Sequence, residues 1–426
     1  MRPFLKITSC LLMFSLGGVP LAHGADFDVS HSVKATGTGF TTDAAQGRRN
    51  NDYEASLLYT AKTNVFLSDS ISMVASGYAR TGMPTHMKGA FVGPNENTSR
   101  STFVDIIELG LRWDGESSSL KIGKWEQNYE FAERLTLLNR YNLGDYTQPL
   151  NDVSTGNWLV QWQEFFDSGN LNITVMPYHP ATGQPAKNSR WEGVNSEGNL
   201  LPTQTTGTPI FTKKPDISII WEGSAEKFDY ALGAAQGQSL YSVSKVNLLT
   251  LSSQTEYPYA HSIFGGISWP LDKARFYMEA YYQDSADKRD DDFIRMTTGM
   301  SFNLFNFAQK LKLNDLNTSL EFLADRTVHE QSNPIYVTPS SLSRPFQNAI
   351  YGVISAKLNN DWTLSQELTR GFSKRDSMAA TKLSYSFDDS TSLSMQYTRF
   401  DGITGESLFG NWKANDNFTL TFSKDF

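Results

Sequence analysis

Cysteine is almost missing from the 426 residues, and the single one is Cys10. The chain after it is thiol-free, which excludes disulfides, thiolate metal ligands and cysteine nucleophiles there. Long apolar runs are missing as well. Past residue 24 no unbroken stretch approaches the roughly 20 residues that a membrane helix needs, so a helical membrane protein is excluded. Charge is sparse, at 19% of residues, and leans acidic, with 37 Lys and Arg against 45 Asp and Glu. A nucleic-acid partner therefore has no electrostatic footprint. No cofactor is expected.

What is present begins with a targeting pattern. Arg2 and Lys6 precede an apolar run from Cys10 to Leu21, and Ala22-His23-Gly24 then places small residues where a signal peptidase reads. Residues 1–24 are expected to be a cleaved signal peptide, and 25–426 a single domain. Cys10 opens the apolar run instead of following it, which does not fit a lipoprotein site.

The rest alternates with period two. Phe418, Leu420 and Phe422 share a face against Thr419, Thr421 and Ser423. Leu393, Met395 and Tyr397 oppose Ser392, Ser394 and Gln396, and Phe276, Met278 and Ala280 oppose Arg275, Tyr277 and Glu279. One apolar set and one polar set per strand suit a sheet with oil on one side and water on the other. Aromatic residues make up 13% of the chain, in keeping with that division.

Connections also alternate in length. Short turns fall near 68–69, 114–118, 167–169, 223–227, 270–274, 359–361 and 388–389. Long loops fall near 81–102, 126–157, 178–215, 237–258 and 326–346. The fold class this predicts is all-β: a transmembrane antiparallel up-and-down β-barrel with short periplasmic turns and long extracellular loops. Trp113, Trp221 and Trp269 end strands before short turns and Trp362 begins one after, as an aromatic girdle at the periplasmic rim would. The count falls between 16 and 19, and 18 is preferred because an even number keeps both ends on the periplasmic side. That count treats 408–412 as a hairpin inside an outer loop and allows a turn-and-helix insertion near 306–316.

The final strand closes on Phe426, in register with Phe422 and Leu420. This resembles the terminal strand of Gram-negative outer-membrane barrels, whose last aromatic is an assembly signal. The resemblance implies barrel-assembly machinery and periplasmic chaperones as partners, beside outer-membrane lipid and lipopolysaccharide. A looser resemblance covers Leu120 to Pro180, where Leu120-Lys121-Ile122-Gly123-Lys124-Trp125 precedes a loop holding Asn139-Arg140-Tyr141-Asn142-Leu143-Gly144-Asp145-Tyr146. It is similar to porin-like and alginate-exporter-like channel families carrying a Gly-Arg/Lys, aromatic, Asn-Pro-x-Asp stretch, although the proline that usually follows the asparagine is missing here.

A barrel this wide leaves an aqueous lumen unless loops close it. The expected activity is an outer-membrane channel for diffusion or export of small hydrophilic solutes or saccharides, and no enzyme. Strand parity aims Glu108, Arg112, Lys121, Glu222, Arg275, Glu279, Arg295, Glu321, Glu367 and Lys382 at the pore, where water spares them the cost of facing lipid. Few bulky apolar residues on the inward faces argue for a wet interior. An infolded loop at 126–157 is expected to narrow the lumen, with Glu126, Glu130, Glu133, Arg134, Arg140 and Asp145 setting a transverse field. Asp290, Asp291 and Asp292 are weak candidates for a cation, although such a run is more often a solvated loop tip. The alternatives are an outer-membrane hydrolase and a structural or adhesin-like barrel whose loops bind a partner. A hydrolase needs a nucleophile beside one of His31, His86, His179, His261 or His329, and no Gly-x-Ser-x-Gly stands near any of them.

Overall fold

The computed structural model describes residues 26–44, 52–82, 103–138, 143–144, 154–177, 189–191, 203–204, 215–239, 241, 243–247, 252–337, 344, 346–372, 375–404 and 406–426. The expected signal peptide lies outside these residues, as do Arg140 and Asp145 of the 126–157 loop and two of the histidines, His86 and His179.

Eighteen strands form one sheet. They are β1 (Asp26–Phe40), β2 (Tyr53–Ser68), β3 (Ile71–Gly82), β4 (Val104–Asp114), β5 (Ser118–Trp125) and β6 (Asn157–Phe166). Next come β7 (Gly169–Met176), β8 (Asp216–Ser224), β9 (Asp229–Gln238), β10 (Tyr259–Leu271), β11 (Ala274–Ser285) and β12 (Asp292–Asn303). The last six are β13 (Asp315–His329), β14 (Asn348–Lys357), β15 (Trp362–Gly371), β16 (Ser377–Ser386), β17 (Thr391–Asp401) and β18 (Asn417–Asp425). Each pairs antiparallel with its neighbour in sequence, and β1 pairs with both β2 and β18, so the sheet closes on itself and leaves no edge. The closure is finished by Phe426, which donates its N–H to the His31 carbonyl at 2.9 Å and stacks its ring on the His31 imidazole.

The expected alternation sorts the two faces. Leu232, Ile263, Leu320 and Phe418 point outward and are more than half exposed, as side chains that meet lipid must be. Trp113, Trp269 and Trp362 stand on the same outer face at the rim of short turns, and Trp221 beside them donates its indole N–H to the Tyr230 hydroxyl at 3.2 Å. At that turn rim seven connections are tight, and the eighth, 304–314, holds a short helix α1 (Phe305–Lys310). At the opposite loop rim, 410–415 is a 3-10 turn, which corrects the expected hairpin over 408–412: Gly410 N–H bonds to the Ser407 hydroxyl and the Asn411 N–H to the Ser407 carbonyl, winding the segment up locally.

A second departure concerns the interior. The barrel contains a dry core in one half of its lumen, where Leu159, Ile220, Phe264, Tyr281, Phe293 and Leu323 of the wall pack against Tyr129, Leu135, Leu137 and Leu138 of the loop after β5. The expectation of a wet interior lined by small polar groups therefore fails along the wall from β5 to β14.

Candidate functional site

The loop after β5 enters the barrel because the wall offers it what a buried backbone lacks: hydrogen-bond acceptors. Residues 126–138 have no ladder partners, and their N–H groups would be costly to bury unpaired. Glu279 in mid-β11 and Glu321 in mid-β13 supply them. Both side chains are fully buried. Glu279 accepts the N–H groups of Phe131 and Ala132 on one oxygen, at 2.6 and 2.7 Å, and that of Leu137 on the other at 2.6 Å. Glu321 accepts from Glu133 at 2.5 Å, from Leu135 at 2.7 Å, and more distantly from Arg134. These are charge-assisted bonds, about 1.5–3 kcal/mol each in favourable cases.

The wall is shaped for this. Tyr277 on β11 reaches across β12 to donate to Glu321 at 2.7 Å, and its ring lies over Gly299, where a Cβ would come within 2.4 Å of the ring. Arg275 donates to the Phe131 carbonyl at 2.7 Å, and the Thr297 hydroxyl to the Leu135 carbonyl at 2.6 Å. Phe131 itself fills the space above Gly266, the cross-strand neighbour of Glu279. From β5 to β13 is eight steps around a ring in which nine is diametrically opposite, so the loop spans most of the lumen at mid-height. At its far end Arg134 faces Glu367 on β15 at 3.7 Å.

Gly266→Leu is therefore expected to expel Phe131, because a Cβ there would sit 2.5 Å from the ring. The barrel should still form, while cleavage by added protease within 126–138 appears; unchanged protection would refute the packing described here.

The remaining candidates divide by environment. Glu108 is nearly buried, accepts the Glu126 N–H at 3.3 Å and pairs with Lys62 at 3.0 Å, tying down the start of the loop. Glu126 in turn accepts the Ser154 hydroxyl. Glu222 accepts from Asn170 and Asn172, Arg112 pairs with Asp114 at 2.8 Å, and Lys121 lies over the Trp125 ring. Glu130 is half-buried, whereas Glu133, Arg134 and Lys382 are exposed. Glu279 and Glu321, expected as water-facing charges, serve instead as sealed anchors. Arg295 is also sealed: its guanidinium and that of Arg344, from the 330–347 loop, flank Asp325 at 3.1 and 3.0 Å. Arg295 also donates to the Tyr241 hydroxyl of the 239–258 loop. Sequence reasoning missed Asp325, Arg344, Tyr277 and the lysines Lys34 and Lys62.

Other loops knit the mouth together. Thr203–Gln204, Val243–Asn247, Ser252–Glu256 and Tyr336–Val337 form a small sheet drawn from three loops. Trp191 is buried among Phe400, Phe409 and Trp412, and Arg190 donates to the carbonyls of Thr42 and Ala414, so the loop after β7 docks on the β17–β18–β1 side.

The three aspartates diverge. Asp290 accepts from Gln283, Asp291 from the Gln331 N–H, and Asp292 from the Ser285 N–H and Lys288. Among the described residues no group of three or more His, Cys, Asp or Glu side chains is placed to hold a metal. Burial pushes the Asp290 carboxyl up to about 7, against the opposing pull of the Asp291 N–H and Arg344. A raised carboxyl favours the folded loop in its protonated form. That contribution is complete below the ordinary value of 3.8 and is lost as pH rises through about 7. Hydrogen-exchange protection around 286–291 should accordingly fall between about pH 4 and 7, and Asp290→Asn should flatten the profile. A profile that is flat in the unsubstituted protein would contradict this assignment.

Of the described histidines, His31 stacks on Phe426, His261 faces outward on β10, and His329 Nδ1 lies 3.3 Å from Asp292. His329 is largely exposed at the loop rim.

The architecture has solved counterparts. The chain superposes on a BenF-like porin from Pseudomonas fluorescens Pf-5 with a TM-score of 0.54 at 10% identity, over 95% of this chain and 99% of that one. It is similar to OccK8 (OprE) of Pseudomonas aeruginosa with a TM-score of 0.54 at 8% identity, covering 94% and 98% of the two chains. OccD3 (OpdP) of the same organism gives 0.54 at 7% identity, covering 95% and 92%. No family model and no curated protein sequence matches the chain. At these identities the likeness is one of fold.

Proposed function

We propose that the chain is a Gram-negative outer-membrane channel that passes small hydrophilic solutes through a lumen narrowed by the loop after β5. The observation that carries this reading is that loop, spanning a closed 18-strand barrel at mid-height on two buried carboxylates. A structural or adhesin-like barrel has no need of such an eyelet; a channel does, because the eyelet sets solute size. The short turns and both chain ends then face the periplasm, and the tryptophan rim lies in the headgroup layer. Lipid and lipopolysaccharide surround the outer face. Phe426, closing the last strand on β1, would be read by the assembly machinery after delivery by periplasmic chaperones.

Charge accessibility supports a preference among solutes. Glu279, Glu321 and Asp325 are sealed, and Glu108 nearly so, whereas Lys34 and Lys382 are exposed on inward-facing positions and the Lys62 side chain is half exposed. With Arg134 on the loop, these cations stand at the water-filled side beside Glu133 and Glu367, while the exposed Asp26 and Asp28 share the inward parity of Lys34 nearer the turn rim. Small anions and neutral polar solutes, saccharides among them, should pass more readily than cations. Planar-bilayer recording in a salt gradient tests both points. Discrete conductance steps with an anion-selective reversal potential are expected; a silent barrel would overturn the channel reading, and cation selectivity the charge reading. Purified protein that hydrolyses phospholipid or peptide, with loss of that activity at one histidine, would instead favour the hydrolase.

A further inference from the structure

The turn rim carries one element that neither the barrel nor the channel uses. Seven of its connections are tight turns, while 304–314 inserts α1. The helix is seated by Ala308, which is fully buried, and by the bond from the Leu313 N–H to the Ala308 carbonyl. Its other apolar side chains face away from the barrel: Leu304, Phe305, Phe307 and Leu311 are between 36% and 53% exposed. Strand alternation does not require them there, and in water such a cluster would be a liability.

Between α1 and the neighbouring turn at 272–273 lies an open groove of about 1050 Å³. Its lining is amphipathic, with Leu271, Phe302, Leu304, Phe305 and Phe307 along it and Lys273 beside Asp272 at the turn. Lys310 and Lys312, both exposed, follow at the end of the helix. The groove is continuous with the outward belt through Trp269 and Phe276, the residues next to it on β10 and β11. An apolar trough that opens off the lipid belt, with Lys273 beside Asp272 in its lining and the exposed Lys310 and Lys312 following beyond it at the end of the helix, fits a ligand with acyl chains and a negative headgroup. A second copy of the chain fits less well, since it would bring the same lysines to the contact.

We propose that this groove is a binding site for one anionic glycerophospholipid of the inner leaflet, its acyl chains lying along Leu304, Phe305 and Phe307 and its phosphate held by Lys273, Lys310 and Lys312. The proposal rests on the outer-membrane reading, which fixes the turn rim on the phospholipid side. It gives the barrel a headgroup-selective anchor at one point of its periplasmic circumference.

The test is native mass spectrometry of the purified barrel titrated with phosphatidylglycerol or phosphatidylethanolamine of identical chains. One phosphatidylglycerol should be retained with roughly tenfold preference, in keeping with a few lysines acting near a headgroup. Lys273→Ala, Lys310→Ala and Lys312→Ala together should abolish that preference and leave weak binding of both lipids. Phe305→Ser with Phe307→Ser should weaken both alike. Equal retention of the two lipids, or an unchanged preference in the lysine variant, overturns the proposal, as does a defined oligomer that forms through this face and excludes lipid. Heat-modifiable migration of every variant tests the barrel independently: its loss in the unsubstituted protein sinks the membrane reading, whereas its presence without selective retention sinks only the lipid site.

Discussion

A barrel carrying Glu279→Ala and Glu321→Ala together is expected to conduct at least about twofold more than the unsubstituted protein, with noisier open levels, because its constriction is no longer fixed. Each carboxylate receives three backbone N–H groups, and alanine would leave all six without acceptors inside the barrel. An unsatisfied buried donor costs about 1–3 kcal/mol, so the inserted loop loses on the order of 6–18 kcal/mol before it relaxes. Against this stands the packing of Leu135, Leu137 and Leu138, each worth about 1.5–3 kcal/mol when fully buried. The two sums are of similar size when one glutamate is removed, and the balance shifts toward release when both are. Single substitutions should therefore give intermittent opening, and the pair a persistent wide state. Glutamine at either position should be nearly as damaging, since its amide has one acceptor oxygen for three donors. Tyr277→Phe, which removes a single bond to Glu321, sets the small end of the series. An unchanged conductance in the double variant would mean that this loop does not limit the passage.

The barrel was legible because lipid and lumen impose opposite demands on alternate residues, and every strand from β1 to β18 obeys them somewhere along its length. What the alternation concealed was the dry half of the lumen. The signal was nonetheless in the sequence, as apolar doublets that break the period: Ile219-Ile220, Ile263-Phe264, Phe293-Ile294 and Phe322-Leu323. In each pair one member faces lipid and the other packs against the loop core. A doublet says that both faces are dry at that height, which a simple channel wall would not be. Parity correctly put Glu279 and Glu321 on the inner face, but parity carries no information on what covers a residue. Their role depends on a loop that returns from six to eight strands away. Arg344 and Asp325 were beyond reach for the same reason, since their meeting joins a strand to a distant part of the following loop.

That meeting leads to the second large expected effect. Asp325→Ala should destabilise the loop-rim half of the barrel wall by about 3–5 kcal/mol, the usual cost of removing one member of a buried ionic group. The carboxylate, 2% exposed, stands between guanidiniums that are 5% and 1% exposed. Without it two cations would share a dry site, and neither can discard its proton to escape. Phe293, over which the Arg344 guanidinium lies at 4.3 Å, and Tyr241, which accepts from Arg295, can disperse only part of that charge. Asp290 lies close enough to feel Arg344, but burial keeps its carboxyl up near 7, so it is a poor substitute at lower pH. The 330–347 loop, held through Arg344, should come away first, followed by the 239–258 loop held through Tyr241. Urea titration monitored by heat-modifiable migration should show a lowered midpoint, with protease cleavage appearing in both loops. Adding Arg344→Leu to Asp325→Ala removes one of the two stranded cations and should recover part of the loss, whereas Arg344→Leu alone should cost less than Asp325→Ala alone. If the double variant is no more stable than Asp325→Ala, the two side chains are not energetically coupled, and the mouth of the barrel is held by something other than this triad.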